Sequence, residues 1–192
     1  ITTLEKNLFV DCKSLKTIDG SFSVIKSGCF DGCKSLKKIN SQSAITYIQS
    51  NAFRDCSLLV EIPKFEKLTK IPRSAFYNCS SLVSFTIPSS VKHISKDSFL
   101  KCSSLESITI PSSVETISEY AFYECASFKW IEIPNSVNFI GENAFRNHLR
   151  FFHLMEPSTI LSFNGTINDS SFCGCSMFKS ITIPSTVTTI GN

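Results

Sequence analysis

The chain has 192 residues, of which 42% are apolar, 11% aromatic and 18% charged. This composition is too apolar for a disordered chain, and no apolar run approaches the roughly 18 residues that a membrane-spanning helix needs. The formal net charge of +3 is too small to indicate nucleic-acid binding. Residues 1–73 hold 12 Lys and Arg against 7 Asp and Glu, whereas residues 74–192 hold 7 against 9. The basic part favours a solvated face and leaves acidic surfaces or anionic glycans open as partners.

The cysteines reveal an internal repeat. Five of the nine are spaced by 23 residues each time, namely Cys33, Cys56, Cys79, Cys102 and Cys125. A phenylalanine lies three residues before each repeat position, and this series is Phe9, Phe30, Phe53, Phe76, Phe99, Phe122, Phe145 and Phe172. Such fixed self-similarity predicts a solenoid with one turn per repeat, in which the phenylalanines form one continuous internal stack.

One repeat shows the predicted elements in chain order. The segment 105–110 alternates apolar and polar residues, which predicts a short strand with one buried face, and Pro111 ends it. Val114 and Ile117 then predict a return along a second edge. The stretch 119–125 is compatible with a single helical or 3₁₀ turn on the far side.

The remaining cysteines and the histidines do not predict a catalytic or metal site. Cys29 with Cys33, and Cys173 with Cys175, lack a partnering pair at zinc spacing, so packing is favoured and no metal or cofactor is expected. His148 occupies a cysteine position, but the neighbouring thiols should be buried in a column without a cleft. We therefore expect reduced, buried thiols and no enzyme activity, with Cys173 as an exposed exception.

At this point the sequence resembles the BspA-like, or Treponema-type, leucine-rich repeat family. The similarity lies in the pattern Ile110-Pro111-Ser112-Ser113-Val114-x-x-Ile117-x-x-x-Ala121-Phe122-x-x-Cys125-x-x-Phe128 and covers essentially the whole chain. It implies an α/β solenoid, a right-handed leucine-rich-repeat arc with a parallel β-sheet on the concave face and short helical or irregular turns on the convex face. Residues 1–192 would form a single domain of about eight repeats, a segment of a longer protein.

The resemblance also implies a class of function. Family members are linked to adhesion on microbial surfaces, which implies a non-catalytic module, secreted or on the cell surface, that binds proteins or glycans of host cells and matrix. Neither nucleic-acid binding nor membrane insertion by this segment is expected. The alternative is a structural scaffold that associates with itself and has no dedicated ligand.

The outward positions of the predicted concave strand are mostly small or polar. Two adjacent repeats break this pattern, and the exposed aromatic, sulfur-containing and charged side chains there resemble interface anchors. The predicted ligand-binding patch consists of Lys129, Trp130, Glu132, Phe152, His153 and Met155. N-glycosylation sequons stand at Asn78, Asn164 and Asn168, and they matter only in a eukaryotic secretory route.

Overall fold

The computed structural model describes residues 2–128, 130–146, 159–160, 165–174, 181–182 and 187–192. These residues form short strands and no helix. The strands, numbered along the chain, are Thr3–Leu4 (β1), Thr17–Gly20 (β2), Val24–Ile25 (β3), Lys38–Ser41 (β4), Tyr47–Ile48 (β5), Lys70–Ile71 (β6), Ser84–Thr86 (β7), His93–Ile94 (β8), Ser107–Thr109 (β9), Thr116–Ile117 (β10), Trp130–Glu132 (β11), Phe139–Ile140 (β12), Thr159–Ile160 (β13), Gly165–Ile167 (β14), Ile181–Thr182 (β15) and Val187–Ile190 (β16).

The strands stack in parallel into two columns, as expected for a solenoid. The first column holds β1, β3, β5, β6, β8, β10, β12, β14 and β16, and the second holds β2, β4, β7, β9, β11, β13 and β15. Corresponding residues pair in register; Ile117, for example, lies between Ile94 and Ile140. We number the turns 1 to 8 by the phenylalanines from Phe9 to Phe172.

The eight phenylalanines form the predicted stack inside the solenoid. Neighbouring ring centroids are 5.3–5.5 Å apart and the rings are inclined by 3–15°. Phe30, Phe53, Phe76, Phe99 and Phe122 are completely buried. Since each buried aromatic side chain removes on the order of 150–250 Å² of surface from water, this stack makes up a large part of the hydrophobic core.

The third side of each turn, between the first and second columns, is held by a ladder of its own. In each of turns 1 to 6 three N–H groups donate to carbonyl groups of the next turn; in turn 6 these are Tyr120 to Glu142 (3.0 Å), Phe122 to Ala144 (2.8 Å) and Glu124 to Arg146 (3.0 Å). The N–H groups between them bond within the turn, as Ala121 does to Ser118 at 3.3 Å. Almost every backbone donor on this turn side therefore has a partner.

Left-handed backbone conformations prevent a helix on the turn side. In turn 6 Tyr120 and Glu124 have φ values of 54° and 57°, and residues at these two positions have positive φ wherever the structure describes them. Asn, Asp and Gly, which tolerate this conformation best, occupy most of these positions. The stretch 119–125 thus forms hydrogen-bonded turns, which agrees with the irregular alternative, and the helical alternative is not confirmed there.

The first column is interrupted between turns 3 and 4. Elsewhere the residue after each strand donates its N–H to the preceding turn, as Gln49 does to Ile25 (3.0 Å) and Ser95 does to Ile71 (3.0 Å). Pro72 occupies this position in turn 4 and has no N–H to donate to Ile48. Accordingly β5 ends one sheet and β6 begins another.

The second column is interrupted at the same level. Val60 donates to Lys37 (3.1 Å) and Glu106 donates to Val83 (2.9 Å), but the corresponding bond from Val83 to Val60, two residues that the structure describes, is not formed. Glu61 bridges to Lys38 on one side only. We call these two coincident interruptions the ladder gap.

Extra aromatic side chains fill the core beside the ladder gap. Phe85 replaces the isoleucine of most other turns, and its ring contacts those of Phe76 and Phe99 with centroid distances of 4.9 and 5.0 Å. Phe65 packs edge-on against Phe76 at 5.9 Å, and the neighbouring backbone at Lys64 and Glu66 bonds to Ile45. Bulkier side chains thus pack in the core where the regular pairing is interrupted.

The repeat pattern does not set the pairing at the last strands of the second column. The sequence template aligns Ile181 with Leu154, whereas in the structure Ile181 pairs with Thr159. The strand beside β15 thus lies five residues later in the chain than the template predicts.

Candidate interaction surface

The outer face of the second column presents a row of polar side chains. In β7 and β9 the central residues Phe85 and Ile108 are buried, while Ser84, Thr86 and Thr109 are exposed. This alternation confirms the predicted orientation in the turns concerned, because neighbouring residues of a strand point to opposite faces. The row stands on a stacked core and is therefore held at a regular spacing.

Some members of this row are tied to their neighbours in the next turn. The Asn40 amide donates to Asp19 Oδ1 at 2.7 Å, and Lys38 Nζ lies 2.7 Å from Glu61 Oε2. These pairs fix the side-chain positions in turns 1 to 3. Turns 4 and 5 carry hydroxyl groups at the corresponding places.

The predicted ligand-binding patch falls largely beyond what the structure describes. The backbones of Trp130 and Glu132 lie in β11 and pair with Ser107 and Thr109. Lys129, Phe152, His153 and Met155 are outside the described residues. The patch therefore stays a prediction.

The thiols of the repeated cysteines are buried and donate hydrogen bonds to backbone carbonyl groups. The thiol of Cys102 donates to the carbonyl oxygen of Phe76 at 3.0 Å, and that of Cys125 donates to Phe99 at 3.1 Å. Burial raises the pKa of the Cys79, Cys102 and Cys125 thiols above its ordinary value. A buried thiol that keeps its proton is a poor nucleophile, so this column supports packing.

The other described cysteines differ in exposure. Cys29 is fully buried in the position that alanine fills in four other turns, and burial raises its pKa to about 12. Cys12 and Cys173 are exposed. All eight cysteines that the structure describes are unpaired, and no group of three metal-ligating side chains occurs among the described residues. His148 and Cys175 lie outside these residues.

A polar depression of about 490 Å³ lies on the turn side of turns 3 to 5. Its lining includes Arg54, Arg73, Tyr77 and Asp97. Arg54 lies over the Tyr77 ring at 5.4 Å from its centroid, and Arg73 Nε is 3.8 Å from Asp97 Oδ2. Burial raises the pKa of Asp97 against the opposing effect of Lys96 and Arg73. The charges of this depression thus already have partners.

Two sequon asparagines use their amide groups internally. Asn78 Nδ2 donates to Asp55 Oδ1 at 2.8 Å, and Asn168 Nδ2 donates to the carbonyl oxygen of Ile140 at 2.8 Å. A glycan on either nitrogen would have to replace these bonds. Asn164 is outside the described residues.

Sequence reasoning missed a strip of exposed side chains along the corner that leads into the second column. It consists of Lys13, Lys16, Lys34 and Lys37 in turns 1 and 2, followed by Leu58, Val60 and Val83 in turns 3 and 4. We call this set the corner strip. The sequence signal was available, because valine takes the place of lysine four residues after Cys56 and Cys79.

Comparison with known proteins agrees with this architecture. The family model described as the BspA type leucine rich repeat region matches residues 1–106 and 92–192. No functionally curated protein is similar enough in sequence to count as a match. Within the described residues, no helix is long and apolar enough to span a membrane.

Three solved structures share the fold. A leucine-rich repeat protein of T. pallidum is 28% identical, with a TM-score of 0.69 over 76% of this chain and 69% of its own. A leucine-rich cell surface protein of Faecalibacterium prausnitzii A2-165 is 27% identical, with a TM-score of 0.76 over 100% of this chain and 61% of its own. A leucine-rich repeat protein of Eubacterium ventriosum, at 23% identity and a TM-score of 0.55 over 71% of this chain and 37% of its own, is similar in fold alone.

Proposed function

The chain belongs to the BspA-type leucine-rich repeat family, a family of protein-interaction scaffolds, and on that premise we propose that it is an adhesin-type module of a cell surface. The proposed ligands are proteins or glycans of host cells and matrix. They would contact the outer face of the second column, with Trp130 and Met155 as the main anchors.

The observation that carries this proposal is the ordered row of exposed side chains on the second column. Ser84, Thr86 and Thr109 stand on a core of stacked aromatic rings, so a partner meets a surface that loses little conformational entropy on binding. Small hydroxyl residues supply hydrogen bonds across such a face. Large anchors in the neighbouring turns would supply most of the affinity.

The proposed location rests on one relative. The similar structure from Faecalibacterium prausnitzii is described as a leucine-rich cell surface protein, and this chain corresponds to 61% of its length. A surface location would bring the polar row into contact with host or neighbouring cells.

Cell binding tests the proposal. Labelled wild-type protein and a Trp130→Ser, Met155→Ser double variant are titrated onto epithelial cells and immobilised matrix proteins. We expect saturable binding that the double variant loses by tenfold or more, which corresponds to about 1.4 kcal/mol. A Tyr47→Ser variant is the matched control, since Tyr47 is exposed in the first column.

Two results would contradict the proposal. Equal binding by the wild type and the double variant would show that Trp130 and Met155 do not contribute to the binding site. Absence of binding by both proteins, together with a particle size that grows with concentration, would favour the alternative of a self-associating scaffold.

A further inference from the structure

We infer that the corner strip is a second docking site, whose occupant is an extended peptide segment with an apolar block beside an acidic block. This site is separate from the anchors named above. It is carried by three observations on turns 1 to 4, namely an exposed apolar group, a row of lysines without an ion-pair partner among the described residues, and the ladder gap.

The apolar end of the strip is unusually exposed for an ordered position. The exposed fractions of Leu58, Val60 and Val83 are 43%, 47% and 47%. At the position of Val60 and Val83, turns 1 and 2 carry Lys16 and Lys37. Neighbouring apolar side chains that remain in water are typical of a contact surface.

The basic end of the strip carries exposed lysine side chains that can bind an acidic partner. Lys13, Lys16, Lys34 and Lys37 are exposed, and none of them forms an ion pair within the part of the chain that the structure describes. Lys38, by contrast, is held by Glu61 at 2.7 Å. Four unneutralised lysines on two adjacent turns attract an acidic partner and favour its encounter.

Backbone bonds fix the order along the strip. Lys37 donates to Lys16 at 2.8 Å and Val60 donates to Lys37 at 3.1 Å, so these residues follow one another up the solenoid. Since neighbouring strands are about 4.8 Å apart, the four positions from Lys16 to Val83 span roughly 14 Å. An extended peptide covers that distance with about four to five residues.

The ladder gap lies beside the apolar end. The carbonyl group of Val60 and the N–H of Val83 do not bond to each other, unlike the corresponding groups of Val83 and Glu106 at 2.9 Å. A peptide main chain that passes over Val60 and Val83 therefore meets backbone groups that the regular turns do not offer. This favours a peptide over an anionic glycan, which would use the lysines alone.

The test uses a fluorescein-labelled octapeptide of four alternating Val and Leu residues followed by four Glu residues, measured by fluorescence anisotropy. We expect saturable binding that weakens as the salt concentration rises. A Val60→Ser, Val83→Ser variant should bind about tenfold more weakly, as should a Lys16→Gln, Lys37→Gln variant. All four substitutions are at exposed positions, so folding is retained and is checked by circular dichroism.

Matched controls separate the alternatives. Tyr47→Ser, and Lys67→Gln with Lys70→Gln, change exposed residues outside the strip and should leave binding unchanged. A peptide with Ser in place of Val and Leu should bind at least tenfold more weakly. The inference is overturned if that peptide or a heparin oligosaccharide binds as well as the apolar one, or if neither strip variant weakens binding. It is also overturned if Val60→Ser, Val83→Ser abolishes self-association instead, because the occupant would then be a second copy.

This test does not depend on the cell-binding experiment. The peptide assay leaves Trp130 and Met155 unchanged, and the cell assay leaves the corner strip unchanged. Failure of either proposal is therefore seen separately.

Discussion

Two sides of the same solenoid treat the boundary between turns 3 and 4 differently. On the turn side the ladder crosses it without change, since Phe53 donates to Ala75 and Asp55 donates to Tyr77, both at 2.8 Å. On the strand sides both columns stop there. A repeat protein can thus keep one continuous support while the pairing on its other sides is interrupted.

The difference has a simple chemical origin. The turn side uses only backbone groups, and every residue that donates there has an N–H. The first column needs a donor at the position of Pro72, which proline cannot supply. A single proline thus interrupts the first column, whereas every donor of the described turn ladder has an N–H.

Alkaline titration tests the continuity of the buried thiol column and has the largest expected effect. Burial raises the pKa of Cys56, Cys79, Cys102 and Cys125 above the ordinary value of 9.0. The contribution of these thiols to the free energy of unfolding is fully present below about pH 9. It is lost as the pH rises above that value, because the unfolded chain then releases protons that the folded chain keeps. At pH 10 the loss is on the order of 1 kcal/mol per thiol, or several kcal/mol for the four together.

Urea unfolding in reductant at pH 8, 9 and 10 measures this loss. The transition should remain single, since the Cys79 thiol crosses the boundary to bond Phe53 at 3.1 Å. A free energy of unfolding that does not change between pH 8 and pH 10 would contradict the assignment.

Truncation of stacked rings compares the core on either side of the ladder gap. Phe122→Ala and Phe53→Ala should each lower the free energy of unfolding by about 3–5 kcal/mol, since the rings above and below cannot collapse into the hole. Phe139→Ala is the control, because this side chain is partly exposed in β12 and outside the stack. A much smaller cost for Phe53→Ala than for Phe122→Ala would show that the gap extends into the core.

Hydrogen exchange resolves the comparison at single amides. After correction for intrinsic rates, the Val83 N–H should exchange about tenfold faster than the Glu106 N–H, because it lacks the bond to the preceding turn. The N–H groups of Phe53 and Phe76, which bond to Ala75 and Ser98 on the turn side, should be equally protected. Equal rates for Val83 and Glu106 would mean that the second column is continuous in solution.

The left-handed positions offer the smallest effect. Lys101 has a φ of 63° and an exposed side chain. Lys101→Gly should raise the free energy of unfolding by about 0.5–1 kcal/mol, because glycine adopts this conformation without strain. Lys70→Gly in β6 should lower it by a similar amount. Thermal unfolding of both variants checks the opposite signs.

The architecture could be predicted from the sequence because the same spacing of core residues recurs in eight repeats. The spacing of Phe9 to Phe172 was enough for the stack, and Phe85 and Ile108 showed which strand face is buried. The helical alternative on the turn side was not confirmed, and single left-handed residues explain why. Asn7, Asp11, Asn51 and Asp55 carried that signal.

The ladder gap and the surface were harder to predict. Pro72 is visible in the sequence, but its effect depends on which residue must donate at that position, and this requires the register. The corner strip depends on adjacency between turns and on which lysines have partners. The anchors at Trp130 and Met155 came from residue type alone and stay a prediction.

The turn ladder also gives one side of the molecule an electrical direction. From turn 1 to turn 8 its inter-turn N–H groups point toward later turns and its carbonyl groups toward earlier ones. The peptide dipoles of this side, about 3.5 D each, therefore add along the solenoid axis, in the sense opposite to an α-helix. The inter-turn bonds of the two columns, such as those from Gln49 to Ile25 and from Glu106 to Val83, point the other way. The turn side and the columns thus oppose each other electrically, and their dipoles partly cancel along the axis.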